Sequence, residues 1–266
     1  MIELLLPATV RSAHAYDDPP GVALLPGEPE LVASAVPKRR AEFTTARHCA
    51  RTALAGLGHP PMPILRGERG APTWPAGVVG SITHCPGYRA AAVAHSAEVA
   101  GVGIDAEEHG PLPEGVFPLI SVPAERAHLA SLPAGLWWER ILFSTKESVY
   151  KVWFPLAGEW LGFDEAEVTF SAIVPGPAVD PGLHAGSGLA AGSGLAAGSG
   201  LAAGSGSAAG SGSAAGSGLA AGPGGDAGVT GAFRARILRD GPFRELTGLF
   251  LVRDGLVLTA ITLPAT

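Results

Sequence analysis

The stretch Gly101-Val-Gly-Ile-Asp105-Ala-Glu107 ends an apolar run in two carboxylates spaced two residues apart. Ala90–Val93 and Val99–Ile104 are small or β-branched throughout, which predicts two short strands. On a strand, residues i and i+2 share a face, so Asp105 and Glu107 point the same way. No basic residue lies close by in sequence to relieve their repulsion. A hard divalent cation with oxygen ligands is one remedy, and a solvated strand end is the other. A second stretch favours the cation: Phe143-Ser-Thr-Lys146-Glu147-Ser-Val-Tyr150-Lys151 offers a third carboxylate and two ammonium groups on a predicted helix, 136–154, set between Pro133 and Pro155.

The chain has 266 residues, 47% of them hydrophobic, enough to bury a real core. A net charge of −6 argues against general nucleic-acid binding, so any anion site has to be local. Cys49 and Cys85 lack both the number for a disulfide framework and the spacing of a zinc site, and read as small buried residues in a reducing cytoplasm. Met1–Val10 has the run Leu4-Leu5-Leu6 without the basic start of a secretion signal, and reads as a first strand. No membrane span is expected.

The local anion site has a candidate. Residues 37–57 predict a helix, with Phe43, Ala50, Leu54 and Leu57 on its apolar face. Lys38, Arg39, Arg40, Arg47 and Arg51 make it a basic island in an acidic chain. Arg40, Arg47 and Arg51 fall on one stripe, which reads either as a solvated face or as a phosphate grip built from guanidinium forks. Further on, 64–72 reads as a turn between short strands. Val78–Cys85 reads as a strand ending in hydroxyls and His84, a phosphate contact or a satisfied strand-end histidine. Gly110–Pro123 reads as an irregular loop. Glu147 and Lys151, at i and i+4, read as a helix ion pair or as groups facing a metal and a phosphate.

Strand-like structure is expected at 160–163 and 168–174, and again at 232–238, 245–252 and 256–263. Between these groups the chain repeats Gly-Ser-Gly-Leu-Ala-Ala from Gly186 to Ala221, with Ser for Leu in two of six copies. So little side-chain area cannot offset the cost of ordering, and residues 184–228 read as a low-complexity insertion in a strand connection.

Taken in order, Gly80-Ser-Ile-Thr-His84, Gly103-Ile-Asp105-Ala-Glu107 and Phe143-Ser-Thr-Lys146-Glu147-Ser-Val-Tyr150-Lys151 resemble the three signature motifs of the 4'-phosphopantetheinyl transferases. The likeness is to their larger, pseudo-dimeric (Sfp-like) group, which includes the enterobactin synthetase component D type, and 37–57 resembles the basic helix of its bacterial members. The resemblance implies an α+β fold of two similar halves, here 1–100 and 101–266, related by a pseudo-twofold with the active site between them. It also implies a reaction: the phosphopantetheine arm of coenzyme A is transferred to a serine of an apo acyl or peptidyl carrier protein, releasing adenosine 3',5'-bisphosphate. By motif position, Asp105, Glu107 and Glu147 would hold Mg2+ or Mn2+. Glu147, or a water, would take the serine proton. Lys146 and Lys151 would assist the diphosphate. Arg39, Arg47 and His84 would grip the 3'-phosphate, Arg66 and Thr83 the adenylate end, and Tyr150 and Trp160 would line the pantetheine channel. A cytoplasmic monomer acting on carrier domains of polyketide, nonribosomal-peptide or siderophore synthases is expected, with no nucleic-acid or membrane partner. Two other classes compete: a silent coenzyme A or carrier binder, which has no need of a third carboxylate, and a magnesium-dependent nucleotide hydrolase, for which no Gly-rich phosphate loop is present.

Overall fold

The computed structural model describes residues 1–175 and 228–265. Nearly the whole predicted repeat insertion lies outside the described residues; Gly228 alone falls within them, in a left-handed conformation (φ 65°) at the start of a strand. The fold is α+β, with two antiparallel sheets each backed by one long helix. In the first half β1 (Arg11–Ala15), β2 (Val78–Cys85) and β3 (Tyr88–His95) form a three-stranded sheet ordered β1-β3-β2. Helix α1 (Pro37–Ala55) packs on it through Phe43, Ala46, Ala50 and Leu54, all fully buried with Ile82, Ala91 and Val93. Pro37 opens the helix at a position where its missing N–H costs nothing.

The second half begins at β4 (Val99–Glu108) and continues with β5 (Ala166–Pro175), β6 (Val229–Ile237), β7 (Glu245–Arg253) and β8 (Leu256–Pro264), in the order β4-β8-β7-β6-β5. Helix α4 (Trp138–Ala157) lies across β4 and β8. Two glycines of the opening stretch explain how closely. A Cβ on Gly103 would stand 2.1 Å from the Ser148 carbonyl oxygen, and one on Gly101 3.1 Å from Val152. Their hydrogens let α4 rest directly on the β4 backbone.

The halves meet along β2 and β4, whose backbones are not paired in one sheet. The small hydroxyls of β2 stand in for a partner strand: Ser81 Oγ accepts the Ile104 N–H at 3.1 Å and Thr83 Oγ1 the Ala106 N–H at 2.9 Å. Both hydroxyls are buried, so each meets an N–H that burial would otherwise orphan.

Some sequence expectations change. Leu4–Leu6 is no strand: Ile2–Leu5 forms a 3-10 turn that buries Ile2 and Leu5, three apart, and leaves Leu4 exposed. The 64–72 segment carries a single bridge, Arg66 to Pro72, in place of two strands. Within Gly110–Pro123 a short helix α2 (Val116–Ile120) forms, its Pro118 lying in the first turn where no backbone donor is needed. Helix α3 (Pro123–Ala130) follows. Pro155 does not close the long helix, which runs on to Ala157 and stops at left-handed Gly158, φ 69°. The strand expected at 160–163 does not form: 160–162 carry no regular structure and Phe163 opens the 3-10 turn Phe163–Glu165. No helix among the described residues is long and apolar enough to cross a membrane.

Candidate active site

The cleft along the β2–β4 seam has a basic end and an acidic one. At the acidic end β4 turns Asp105 and Glu107 to one side, as its period requires, and α4 answers with residues on one stripe: Arg140, Glu147 and Lys151 at i, i+7 and i+11. Asp105 is buried; its Oδ1 accepts from Lys151 Nζ at 2.7 Å and from Thr83 Oγ1 at 3.1 Å, while its Oδ2 is buried with no partner. Lys151 also donates to the Ile104 carbonyl at 3.0 Å. Glu107 accepts from Arg140 Nη1 at 3.0 Å. Burial, then the Asp105 charge, pushes the Glu107 carboxyl up to about 8, with Arg140 and Lys151 opposing. Two carboxylates crowded in a dry place with one oxygen orphaned fit a hard cation. Among the described residues no three of His, Cys, Asp and Glu gather closely enough to hold a metal ion. Asp105 and Glu107 are therefore brought together, and Glu147 stands on the facing helix without closing the set. That suits Mg2+, which is held by one or two carboxylates plus substrate phosphates rather than by a protein cage.

At the basic end, Arg47 is 1% exposed, its guanidinium stacked 4.4 Å from the Phe43 ring centroid, and its Nε and Nη1 are buried without partners. Burial, with Arg66, Arg51 and Arg39 adding to it against the pull of Glu28, lowers its pKa to about 10. Arg66, exposed on its loop, lies over the same ring at 5.8 Å. Arg39 donates to the His84 ring, whose pKa is lowered to about 3 by burial and by the charges of Arg39, Lys151 and Arg89. Glu42 is the local counterweight, 3.7 Å from Arg39 and 3.8 Å from each of His84 and Arg89. Arg39, Arg47, Arg66 and His84 thus converge.

Two predicted residues are engaged elsewhere. Lys146 is buried, donating to Glu125 at 2.8 Å and to the Phe163 carbonyl at 2.6 Å, so it braces the chain after α4 and does not reach the carboxylate pair. Glu125 is itself filled by the Val122 and Val168 N–H groups. Thr83 is wholly buried and orients Asp105 rather than facing an adenylate. The Tyr150 and Trp160 rings lie 5.0 Å apart. Tyr150 also borders an apolar groove of about 340 Å³ between the halves, walled by Trp74, Val79, Gly101 and Leu156 with Lys151 at its edge.

Sequence reasoning missed Arg140, whose signal was its place on the Glu147–Lys151 stripe. It also missed Glu28, fully buried 23 residues before its partner Arg51, a pairing that no local pattern announces.

Residues 27–94 match the family model described as the 4'-phosphopantetheinyl transferase N-terminal domain, and residues 101–179 match that of the 4'-phosphopantetheinyl transferase superfamily. The chain is 43% identical to the 4'-phosphopantetheinyl transferase PptT of Mycobacterium tuberculosis over 99% of its own length and 98% of that protein. It is 55% identical to Npt of Nocardia iowensis, over 64% of this chain and 77% of that one, and 55% identical to Svp of Streptomyces mobaraensis, over 67% and 79%. Both carry the same enzyme name. With a basic grip on one half, an acidic pair on the other and these matches spanning both, the chain belongs to the 4'-phosphopantetheinyl transferase family of enzymes.

Proposed function

We propose that this enzyme transfers the 4'-phosphopantetheine arm of coenzyme A to a serine of apo acyl or peptidyl carrier domains, giving the holo carrier and adenosine 3',5'-bisphosphate, with Mg2+ or Mn2+ required. The observation that carries the reading is Asp105, held by Thr83 and Lys151 through one oxygen while its buried Oδ2 has no partner, next to a Glu107 that resists ionisation.

In this reading Arg39, Arg47 and Arg66 bind the 3'-phosphate and adenylate end, with neutral His84 as a further ring contact. Arg47 is the strongest contributor, because a guanidinium kept dry and unpaired has nothing to release before it takes an anion. Asp105 and Glu107, with Glu147 facing them from α4, would hold the cation, which when bound would supply charge neutralisation at the coenzyme A diphosphate. Lys151 stands over the same diphosphate. The serine oxygen attacks the β-phosphorus, the bond to the bridging oxygen breaks, and its electron pair leaves on adenosine 3',5'-bisphosphate. Glu147, on the helix stripe between Arg140 and Lys151, accepts the serine proton. Tyr150 and Trp160 border the pantetheine arm. The protein acts as a cytoplasmic monomer.

Intact mass of an apo carrier domain after incubation with this protein, coenzyme A and Mg2+ tests the reading. One phosphopantetheine is expected to be gained, and a chelator to abolish the gain. No gain with several carrier types, while coenzyme A still binds, would leave a binding module only. Glu147→Gln is expected to cut transfer steeply and spare coenzyme A binding.

A further inference from the structure

Helix α1 sends out five cations, Lys38, Arg39, Arg40, Arg47 and Arg51, and the fold sorts them. Arg40 caps the Ala33 and Ala35 carbonyls at 3.2 and 3.1 Å. Arg39 meets His84. Arg51 donates through Nη1 to both oxygens of Glu28 at 2.9 Å and through Nη2 to the Ala23 carbonyl at 2.9 Å. Arg47, one turn before Arg51 on the same face, keeps two buried nitrogens without partners.

An unpaired buried guanidinium one turn from an arginine that is bound to a fully buried carboxylate calls for an explanation. Glu28 supplies it. Each of its oxygens accepts twice: Oε1 from Arg51 and the Ile64 N–H at 2.8 Å, Oε2 from Arg51 and the Leu25 N–H at 2.7 Å. A carboxylate offers about four lone-pair sites, so Glu28 has none left for Arg47. Its charge still reaches Arg47 and attracts it. The buried acid of α1 itself, Glu42, faces Arg39, His84 and Arg89 at 3.7–3.8 Å.

We propose that Arg51 is a positioning residue for anion binding: by saturating Glu28 it keeps that carboxylate from capturing Arg47, and so preserves an open guanidinium for a phosphate monoester. This rests on the reading of Arg47 as the grip on the 3'-phosphate of coenzyme A. Ile64 lies two residues before Arg66, so the same carboxylate also fixes the loop that brings Arg66 over Phe43.

Calorimetric titration of the full chain with coenzyme A and with 3'-dephospho-coenzyme A tests this. Arg51→Met frees Glu28, and is expected to weaken coenzyme A about tenfold or more while changing the dephospho form by less than about twofold. The double variant Glu28→Gln/Arg51→Met removes the competitor with its guard, and should return coenzyme A to within about threefold of the wild type, as expected for coupled neighbours. A double variant as impaired as Arg51→Met would overturn the proposal, because with the Glu28 carboxylate gone no competitor is left to capture Arg47. An unchanged affinity ratio in folded Arg51→Met would overturn it too. Should Arg51→Met not fold, Glu28→Gln alone decides: the coenzyme A to dephospho ratio is expected to hold or rise, and a fall refutes the guard. Arg47→Ala separates the two levels, since a ratio unchanged there sinks the 3'-phosphate reading itself.

Discussion

The two ends of the cleft each bury a charged group with an atom left unpartnered, Arg47 on α1 and Asp105 on β4, and they manage that cost in opposite ways. The acidic end is adjustable. Glu107, raised to about 8, gives the carboxylate pair a way to shed one charge by holding a proton, and Lys151 and Arg140 supply the rest. The basic end has no such release, because even a guanidinium lowered to about 10 stays charged at neutral pH. One end therefore waits for a cation in a form that is tolerable without it, while the other stands permanently ready for an anion. Glu28, the acid whose charge reaches Arg47, is engaged with Arg51, which is what maintains that readiness.

The comparison breaks first at Asp105. Asp105→Asn removes the charge that meets both the cation and Lys151, and should lower carrier modification roughly 10²–10³-fold in a steady-state assay. Glu107 should at the same time lose part of its upward shift, because the Asp105 charge is gone while burial, the larger cause, remains. Retained activity would mean that the pair is only a strand end. The next largest effect is on stability. Gly103→Ala sets a methyl against the Ser148 carbonyl and Val152, and should cost about 3 kcal/mol, at the upper end of overpacking, seen as a lowered denaturant midpoint. The change is in backbone spacing, so Lys151 moves off Asp105 and activity falls with it. An unshifted midpoint would show that α4 does not need the close approach.

That glycine also shows what the sequence made legible. The strand period placed Asp105 and Glu107 on one face, and the helix period placed Lys151 and Glu147 opposite, because both are local rules. The hydroxyls of β2 were visible as residue types, but not their task of accepting the β4 N–H groups, which exists only once two strands distant in sequence lie side by side. Lys146 and Lys151 look alike in sequence. One meets Glu125, which α3 brings to its side of α4, and the other meets Asp105. The stripe of α1 misled similarly: periodicity put Arg40, Arg47 and Arg51 together as one face, and only their partners divide them into cap, grip and guard. Leu4-Leu5-Leu6 failed for another reason, since a short apolar run fits a strand or a 3-10 turn equally well.

At the basic end the same substitution should move two quantities in opposite directions. Arg47→Met removes a buried, unpaired cation and keeps the contact with Phe43, so the ligand-free protein should gain about 1 kcal/mol while coenzyme A binding weakens roughly 10–100-fold. A destabilised variant would mean that Arg47 contributes to folding, and the contrast with Asp105 would fail.

The smallest effect sharpens the contrast through pH. His84 titrates near 3 in the fold, held down by burial, Arg39, Lys151 and Arg89, against 6.5 for the free group. Above pH 6.5 both folded and unfolded chains carry it neutral, and it has no influence on stability. As pH falls from 6.5 towards 3 the unfolded chain takes up a proton that the folded one refuses, so stability declines through that window. His84→Gln keeps a polar side chain and removes the titration. Its stability measured by denaturant between pH 7 and 5 should fall less steeply than that of the wild type, and equal slopes would mean that His84 binds its proton within the fold. Bound coenzyme A should shrink the same difference, because a phosphate dianion beside His84 raises its pKa and lets the folded protein accept the proton.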